Sequence, residues 1–341
     1  MTVEILSAGA VTSVGHNVVQ CDVSIRAGII RRRATHVQGE SGPIYAAPVL
    51  AIGDHIVGVD RGLRLFEVAV EECLRAAPSL GSVGLVSCVA NYGFFAAMER
   101  FSDAQRKRCA LLRDSWLELT PQIVAALGRR GLCMSHEHVR EIAKGQPSAL
   151  EGLVVAGEWL QSGAVDHVVV TAVASQCDRA FLEVFDRLGV LARPGSATGH
   201  VPSEGAVRSS VVWCPGGAGV AAKSFHVNSG DPPTAEALTS VLDAAMSDPS
   251  AGSAREMLTD VNGERWRVNE MSMASLRCIS SRNIPMKRLD VARFTGELGA
   301  AGAALSLALC HHALRRDGVS RVVASSTRGP SRGAAIVTRE T

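Results

Sequence analysis

The stretch from Lys144 to Val173 constrains this chain more than any other. Its opening, Lys144-Gly145-Gln146-Pro147-Ser148, is followed by an apolar run that stops at Ser162-Gly163. Pro147 fits the first turn of a helix, where its missing N–H has no partner to lose. Leu150, Leu153, Val154 and Leu160 recur at helical spacing, with the small Gly157 on the same face. Gly163 is placed to cap the C-terminus. Asp166 then opens His167–Val173, whose β-branched content predicts a buried strand. The order is tight turn, apolar helix, short turn, buried strand.

The rest of the chain repeats that grammar. Val3–Leu6 begins a strand that turns at small residues up to Gly15, and a helix spans Val18 to Arg26. Residues 29 to 60 lack periodicity and read as surface loops. Arg61 to Ala77 is an amphipathic helix, and Val83–Val89 a short buried strand. Helical segments follow at Phe95–Leu112 and Pro121–Arg129. Val207–Trp213 reads as a strand, and the Pro215–Gly219 cluster as a boundary. A strand at Ala221–Val227 and a helix at Ala235–Met246 then restart the plan. With 341 residues, this predicts two similar βαβ-rich halves, 1–214 and 215–341.

Composition excludes several classes of function. A formal net charge of +2 argues against bulk binding to nucleic acid or an anionic membrane. The runs Arg31-Arg32-Arg33 and Arg106-Lys107-Arg108 read as solvated surface. The nine cysteines include no Cys-x-x-Cys pair, and their odd number favours free thiols in a reducing cytoplasm. The start of the chain lacks a secretory pattern, and no stretch reaches about 18 consecutive apolar residues. His136 and His138 are two apart with no third ligand at a familiar spacing, so no metal is expected. The small-residue turn near Gly9 does not give the Gly-x-Gly-x-x-Gly spacing of a nucleotide loop, and no cofactor is expected.

The 144–173 unit resembles the nucleophile region of the ketoacyl synthases and the wider thiolase-like superfamily. The run Phe181–Pro194 resembles the family's helix and arginine–proline turn. Val201-Pro202-Ser203-Glu204-Gly205-Ala206 is similar to its Val-x-Gly-Glu-Gly-Ala motif. The resemblance implies an α/β thiolase fold, with two duplicated halves in a five-layer αβαβα sandwich.

It also implies where the catalytic groups should stand. Ketoacyl synthases use a cysteine that takes the acyl chain and two histidines that stabilise the enolate formed on decarboxylation. The nucleophile position here is Gln146. The first histidine motif corresponds to Asn262-Gly263-Glu264-Arg265-Trp266-Arg267-Val268-Asn269-Glu270, with Asn262 in place of the imidazole. The second corresponds to Phe294–Gly302, which places either Gly296 or Glu297 at the histidine. Ser325–Val337 stands where the family has a Gly-Phe-Gly-Gly loop, and Pro330 removes a backbone donor there. Arg265, Trp266, Arg267, Asn269 and Gly329 are the expected pocket lining, with the bulky three filling it from a loop.

What the resemblance implies is a degenerate ketoacyl-synthase-like protein, an accessory or dimer-partner subunit. Two settings are known for such members: the chain-length factor, and a thiolase-like accessory beside type VI secretion effectors. Pairing as a homodimer or heterodimer is expected through strand 168–173, with an acyl-carrier protein as a further partner. The alternative is an acyltransferase or malonyl-thioester decarboxylase with Gln146 standing in for the cysteine. A third reading makes Cys133 or Cys177 the nucleophile.

Overall fold

The computed structural model describes residues 3–75, 81–89, 102–132, 134–193, 198–213, 218–222 and 234–338. Two five-stranded sheets carry the fold. The first contains β1 (Val3–Thr12), β4 (Val83–Val89), β5 (Met134–Ile142), β6 (His167–Ser175) and β7 (Glu204–Trp213), in the order β1-β7-β6-β4-β5. Beside it, β2 (Arg33–Gly39) and β3 (Gly42–Ala46) form a hairpin. The second sheet contains β8 (Ala218–Ala222), β9 (Glu256–Thr259), β10 (Lys287–Asp290), β11 (Arg321–Ser326) and β12 (Ser331–Val337), in the order β8-β12-β11-β9-β10.

The two sheets share one topology. In each, the first strand lies antiparallel to the last, and the last lies antiparallel to the penultimate strand. The penultimate strand is parallel to the second, and the second is parallel to the third. Such repetition of order and direction is the mark of a duplicated unit.

Helices fill the space between and outside the sheets. α5 (Ser148–Gln161) and α10 (Ala301–Asp317) lie between them and pack on strands of both. Outside the first sheet lie α2 (Gly58–Arg75) and α4 (Leu119–Gly128), with α3 (Asp103–Leu117) against α2. Outside the second lie α7 (Glu236–Met246) and α8 (Arg265–Cys278). α1 (Val18–Arg26) packs on β1 and α10, α6 (Arg179–Arg187) follows β6, and the one-turn α9 (Ala292–Thr295) precedes α10. The result is the five-layer αβαβα sandwich.

The central layer is apolar because both its faces are covered. Residues of α5 and α10, among them Leu150, Leu153, Leu305 and Leu309, join Val170, Val207, Leu258 and Val323 in one core between the sheets. A second core lies under α2 and α4, and a third under α7 and α8. Gly145 makes the turn from β5 into α5. Its φ of +77° suits glycine, and a Cβ there would lie 2.8 Å from the Thr327 hydroxyl.

Four expectations change. Strand 168–173 is not free to pair across a two-fold axis: β6 is hydrogen-bonded to β4 on one side and β7 on the other. Its unbroken hydrophobicity reflects burial of both faces in the middle of a sheet. Residues 29–60 contain the β2–β3 hairpin, whose alternation was masked by Pro43 and Gly42. Residues 264–270 form the first turns of α8, with Glu264 at its N-cap, and not a loop. The strand expected at 221–227 is described only as β8, at Ala218–Ala222. Residues 90–101, 214–217 and 223–233 lie outside the described residues, and with them the start of the helix expected at 95–112 and the boundary at 214/215.

Candidate functional site

The turn at Gly145, the loop after β9 and the turn before α10 converge between the sheets. Gln146 precedes α5, Asn262 lies between β9 and α8, and Glu297 stands just before α10. Gly296 makes the turn, at φ +79°, and a Cβ on it would lie 2.7 Å from that of Ser203. Glu297 then pairs its backbone with the 201–203 segment, its N–H donating to Val201 O and its carbonyl accepting from Ser203 N. Its side chain turns inward.

The Glu297 carboxylate is the centre of the cluster and is 3% exposed. Gln146 Nε2 donates to Oε1 at 2.8 Å, and the Gly299 N–H donates to the same oxygen at 2.9 Å. Asn262 Nδ2 donates to Oε2, and Arg267 Nη1 donates to it at 3.1 Å. Four donors, one of them cationic, therefore enclose one carboxylate at the N-terminal end of α10, where the helix dipole adds its share. Burial alone pushes the carboxyl pKa up. Arg267, Gln146 and Gly299 outweigh it and hold Glu297 below the ordinary glutamate value.

Arg267 ties this centre to its surroundings. It is 1% exposed, and Nη1 also donates to the Asp260 carbonyl at 3.0 Å. Its Nη2 lies 3.7 Å from Glu264 Oε2. Glu264 is in turn met by Arg328, by Trp266 Nε1 at 3.2 Å and by Asn262 Nδ2 at 3.4 Å. Asp260 accepts from Ser325 Oγ at 2.6 Å and from the Ser326 N–H; desolvation raises its pKa to about 6. Arg332 Nη1 takes the carbonyls of Thr327, Gly329 and Ser331, while its Nε donates to Glu270 at 2.7 Å. The 327–331 turn is thus bound to a buried arginine.

Of the expected lining residues, Arg267, Gly329 and the half-buried Trp266 belong to this region. Arg265 and Asn269 are exposed on the outer face of α8, because the helix turns them away. His200 was missed. It is 3% exposed, stacks edge-on against Phe185 at 5.1 Å, and has Nδ1 3.5 Å from Glu264 Oε1. Desolvation lowers its pKa to about 3, helped by Arg328 and Arg267 against the pull of Glu297, so the imidazole is neutral. Only its place just before the Val201–Ala206 motif could have pointed to it.

Cys177 does not take the place of Gln146. Cys177 lies past the end of β6, and burial, reinforced by Glu204, pushes its thiol well above the ordinary range. Cys133 lies outside the described residues. His138 packs edge-on against Trp159 of α5 at 5.6 Å, whereas His136 is exposed on β5. Among the described residues there is no group of three or more His, Cys, Asp or Glu able to hold a metal.

This layering, with three loops converging between the sheets, defines the thiolase fold. A chain of the ishigamide ketosynthase/chain length factor is similar over 98% of this chain and 99% of that one, at 17% identity and a TM-score of 0.69. A chain from a type II polyketide-synthase acyl-carrier protein in complex with its ketosynthase gives 0.76 at 15% identity, over 99% of both. A β-ketoacyl synthase from Burkholderia phymatum gives 0.68 at 14% identity, again over 99% of both. No family model matches the sequence, and no curated protein matches it. No helix among the described residues is long and apolar enough to cross a membrane.

The buried neutral His200 has a consequence in acid. Its folded pKa of about 3 lies below the unfolded 6.5, so the stability it confers is whole above 6.5 and is lost as pH falls toward 3. Relative to His200→Asn, the wild type should lose about 1.4 kcal/mol per pH unit below about 6.5. Asp260 titrates in both proteins and cancels in the difference. Denaturant unfolding at pH 7, 6 and 5 measures this, and a constant difference across the series would contradict it.

Proposed function

We propose that this chain is a non-catalytic ketosynthase-like subunit that works by pairing with another protein, in the manner of a chain-length factor. The observation that carries the reading is the enclosure of Glu297. The resemblance puts a nucleophile at Gln146, one imidazole at Asn262 and the other at Gly296 or Glu297, and of these Gln146, Asn262 and Glu297 spend their polar groups on one another.

The chemistry follows from what is left over. A carboxamide does not attack a thioester. Stabilising an enolate requires donors aimed at the developing oxygen, and loss of one such donor costs about 3 kcal/mol in the barrier. Here the amides of Gln146 and Asn262 already donate to a carboxylate of the chain's own. A malonyl group brought to this place would meet a fixed negative charge. The decarboxylase alternative needs those same donors free, so the geometry favours the non-catalytic form.

The similar structures include ketosynthases paired with chain length factors, among them one from Xenorhabdus doucetiae at a TM-score of 0.71 and 14% identity. That supports the partner-subunit form over a type VI secretion accessory, and it makes an acyl-carrier protein a natural third party. The strand that would pair moves from β6 to β5. The first sheet ends at β1 and β5. On β1, the Ala10 N–H is already taken by the Glu72 carboxylate at 3.0 Å. Among the described residues β5 is the open edge, ready to add a strand from a partner.

Incubation with malonyl thioesters tests the first part: no CO2 release above the uncatalysed rate and no acyl adduct by intact mass. Catalytic turnover by the wild type would sink it. Hydrogen exchange tests the second. Peptides covering 134–142 should gain protection as the protein associates, whereas those covering 168–174 should be slow at every concentration. Protection gained elsewhere and not on β5 would move the interface.

A further inference from the structure

Among the described residues, five arginines are buried almost completely: Arg61, Arg208, Arg267, Arg321 and Arg332. Four are answered by a buried glutamate. Arg61 meets Glu204 at 2.6 Å, Arg267 meets Glu297 at 3.1 Å, Arg321 meets Glu256 at 3.1 Å, and Arg332 meets Glu270 at 2.7 Å. Arg208 is the exception. It is 0% exposed, and its Nε, Nη1 and Nη2 have no hydrogen-bond partner among the described residues.

Its position rules out a rescue by water at the surface. Arg208 lies within β7, opposite Gly9 of β1 on one side and Thr171 of β6 on the other. It faces α2, on the same strand face as Glu204, which meets Arg61 of that helix. Glu204 has nothing to spare: Val49 N–H and Ser175 Oγ donate to it as well. Burial holds the Arg208 pKa below the usual arginine value, and the Arg130 cation adds to that against the opposite influence of Cys73.

Two further polar atoms on the same face lack partners. Thr171 Oγ1, directly across the strand pair, is buried and unsatisfied, and so is Ser210 Oγ, two residues along β7. Cross-strand neighbours stand about 5 Å apart at Cβ, within reach of a shared ligand. A buried cation and two hydroxyl donors, all without a hydrogen-bond partner among the described residues, form a donor set for one shared acceptor. An uncompensated buried charge is among the most costly features a fold can carry.

We propose that a small inorganic anion of chloride type binds Arg208 under α2, with the Thr171 and Ser210 hydroxyls as its other donors. One cation calls for one negative charge, and the apolar core around the site favours a weakly hydrated monovalent ion over phosphate or sulfate. The site is separate from the Glu297 cluster, since the first sheet lies between them. Its occupant completes the pairing rule that the other four buried arginines follow.

The test compares chloride with gluconate at constant ionic strength. The wild type should show a melting temperature that rises with chloride and saturates, by about 2–4 °C. Arg208→Met, which removes the charge, should lose this response and be more stable than wild type in gluconate. Thr171→Val keeps the charge and should shift the midpoint of the titration to higher chloride. A bromide-soaked crystal should show an anomalous peak beside Arg208. An equal chloride response in Arg208→Met, no response in the wild type, or a protein oxygen beside the guanidinium without an anomalous peak would each overturn the proposal. Should Arg208→Met fail to fold, Thr171→Val and the bromide peak decide.

Discussion

The structure turns on one carboxylate. Glu297 sits where the turn before α10, the turn into α5 and the loop after β9 meet, and it is held by the backbone N–H of Gly299, two carboxamides and a guanidinium. Those donors come from both halves of the duplicated fold, so the interaction fastens the halves together as well as closing the space between them. Taking an ionised carboxylate out of water is expensive, and only an enclosure this complete offsets it. Removing a single partner would leave a buried carboxylate lone pair unanswered. Around this centre the loops have little freedom to open.

The same solution recurs through the molecule. Arg61 with Glu204 anchors the start of α2 to β7; Arg332 with Glu270 anchors the last strand to α8; Arg321 with Glu256 joins β11 to β9. Each pair joins two elements distant in sequence, and each satisfies several lone pairs or donors besides. Such pairs add little net stability over a well-packed apolar alternative, but they tolerate very few rearrangements.

Much of the fold was legible in the sequence. The helix at 148–161 and the strand at 167–175 announced themselves through Pro147, the helical spacing of Leu150 and Leu153, and the valine run from Val168. That same valine run misled about pairing, because hydrophobicity along a strand reports that both faces are covered and says nothing about its edges. The polar edge strand β5, with exposed Ser135, His136 and Glu137, carried no signal of its place beside β4. At the site, Gln146, Asn262 and Glu297 could be singled out by position. That they hydrogen-bond to one another depends on the docking of three loops, as does the burial of Arg267 and His200, and no local pattern encodes it. The α8 helix at 265–278 was hidden by its mixed face, where Arg267 and Glu270 point inward among Met271 and Ala274.

The most direct test of the central claim is acyl transfer to a cysteine placed at the nucleophile position. Gln146→Cys, folded and exposed to a short acyl thioester, is read by intact mass. With Glu297 still bound to Asn262 and Arg267, the thiol has a carboxylate beside it and no free donor for the tetrahedral oxygen, so no acyl adduct should form at a rate above that of a free thiol. Rapid, stoichiometric acylation of that variant would mean that the space is open and its donors available, and the account of Glu297 as the closing group would be wrong.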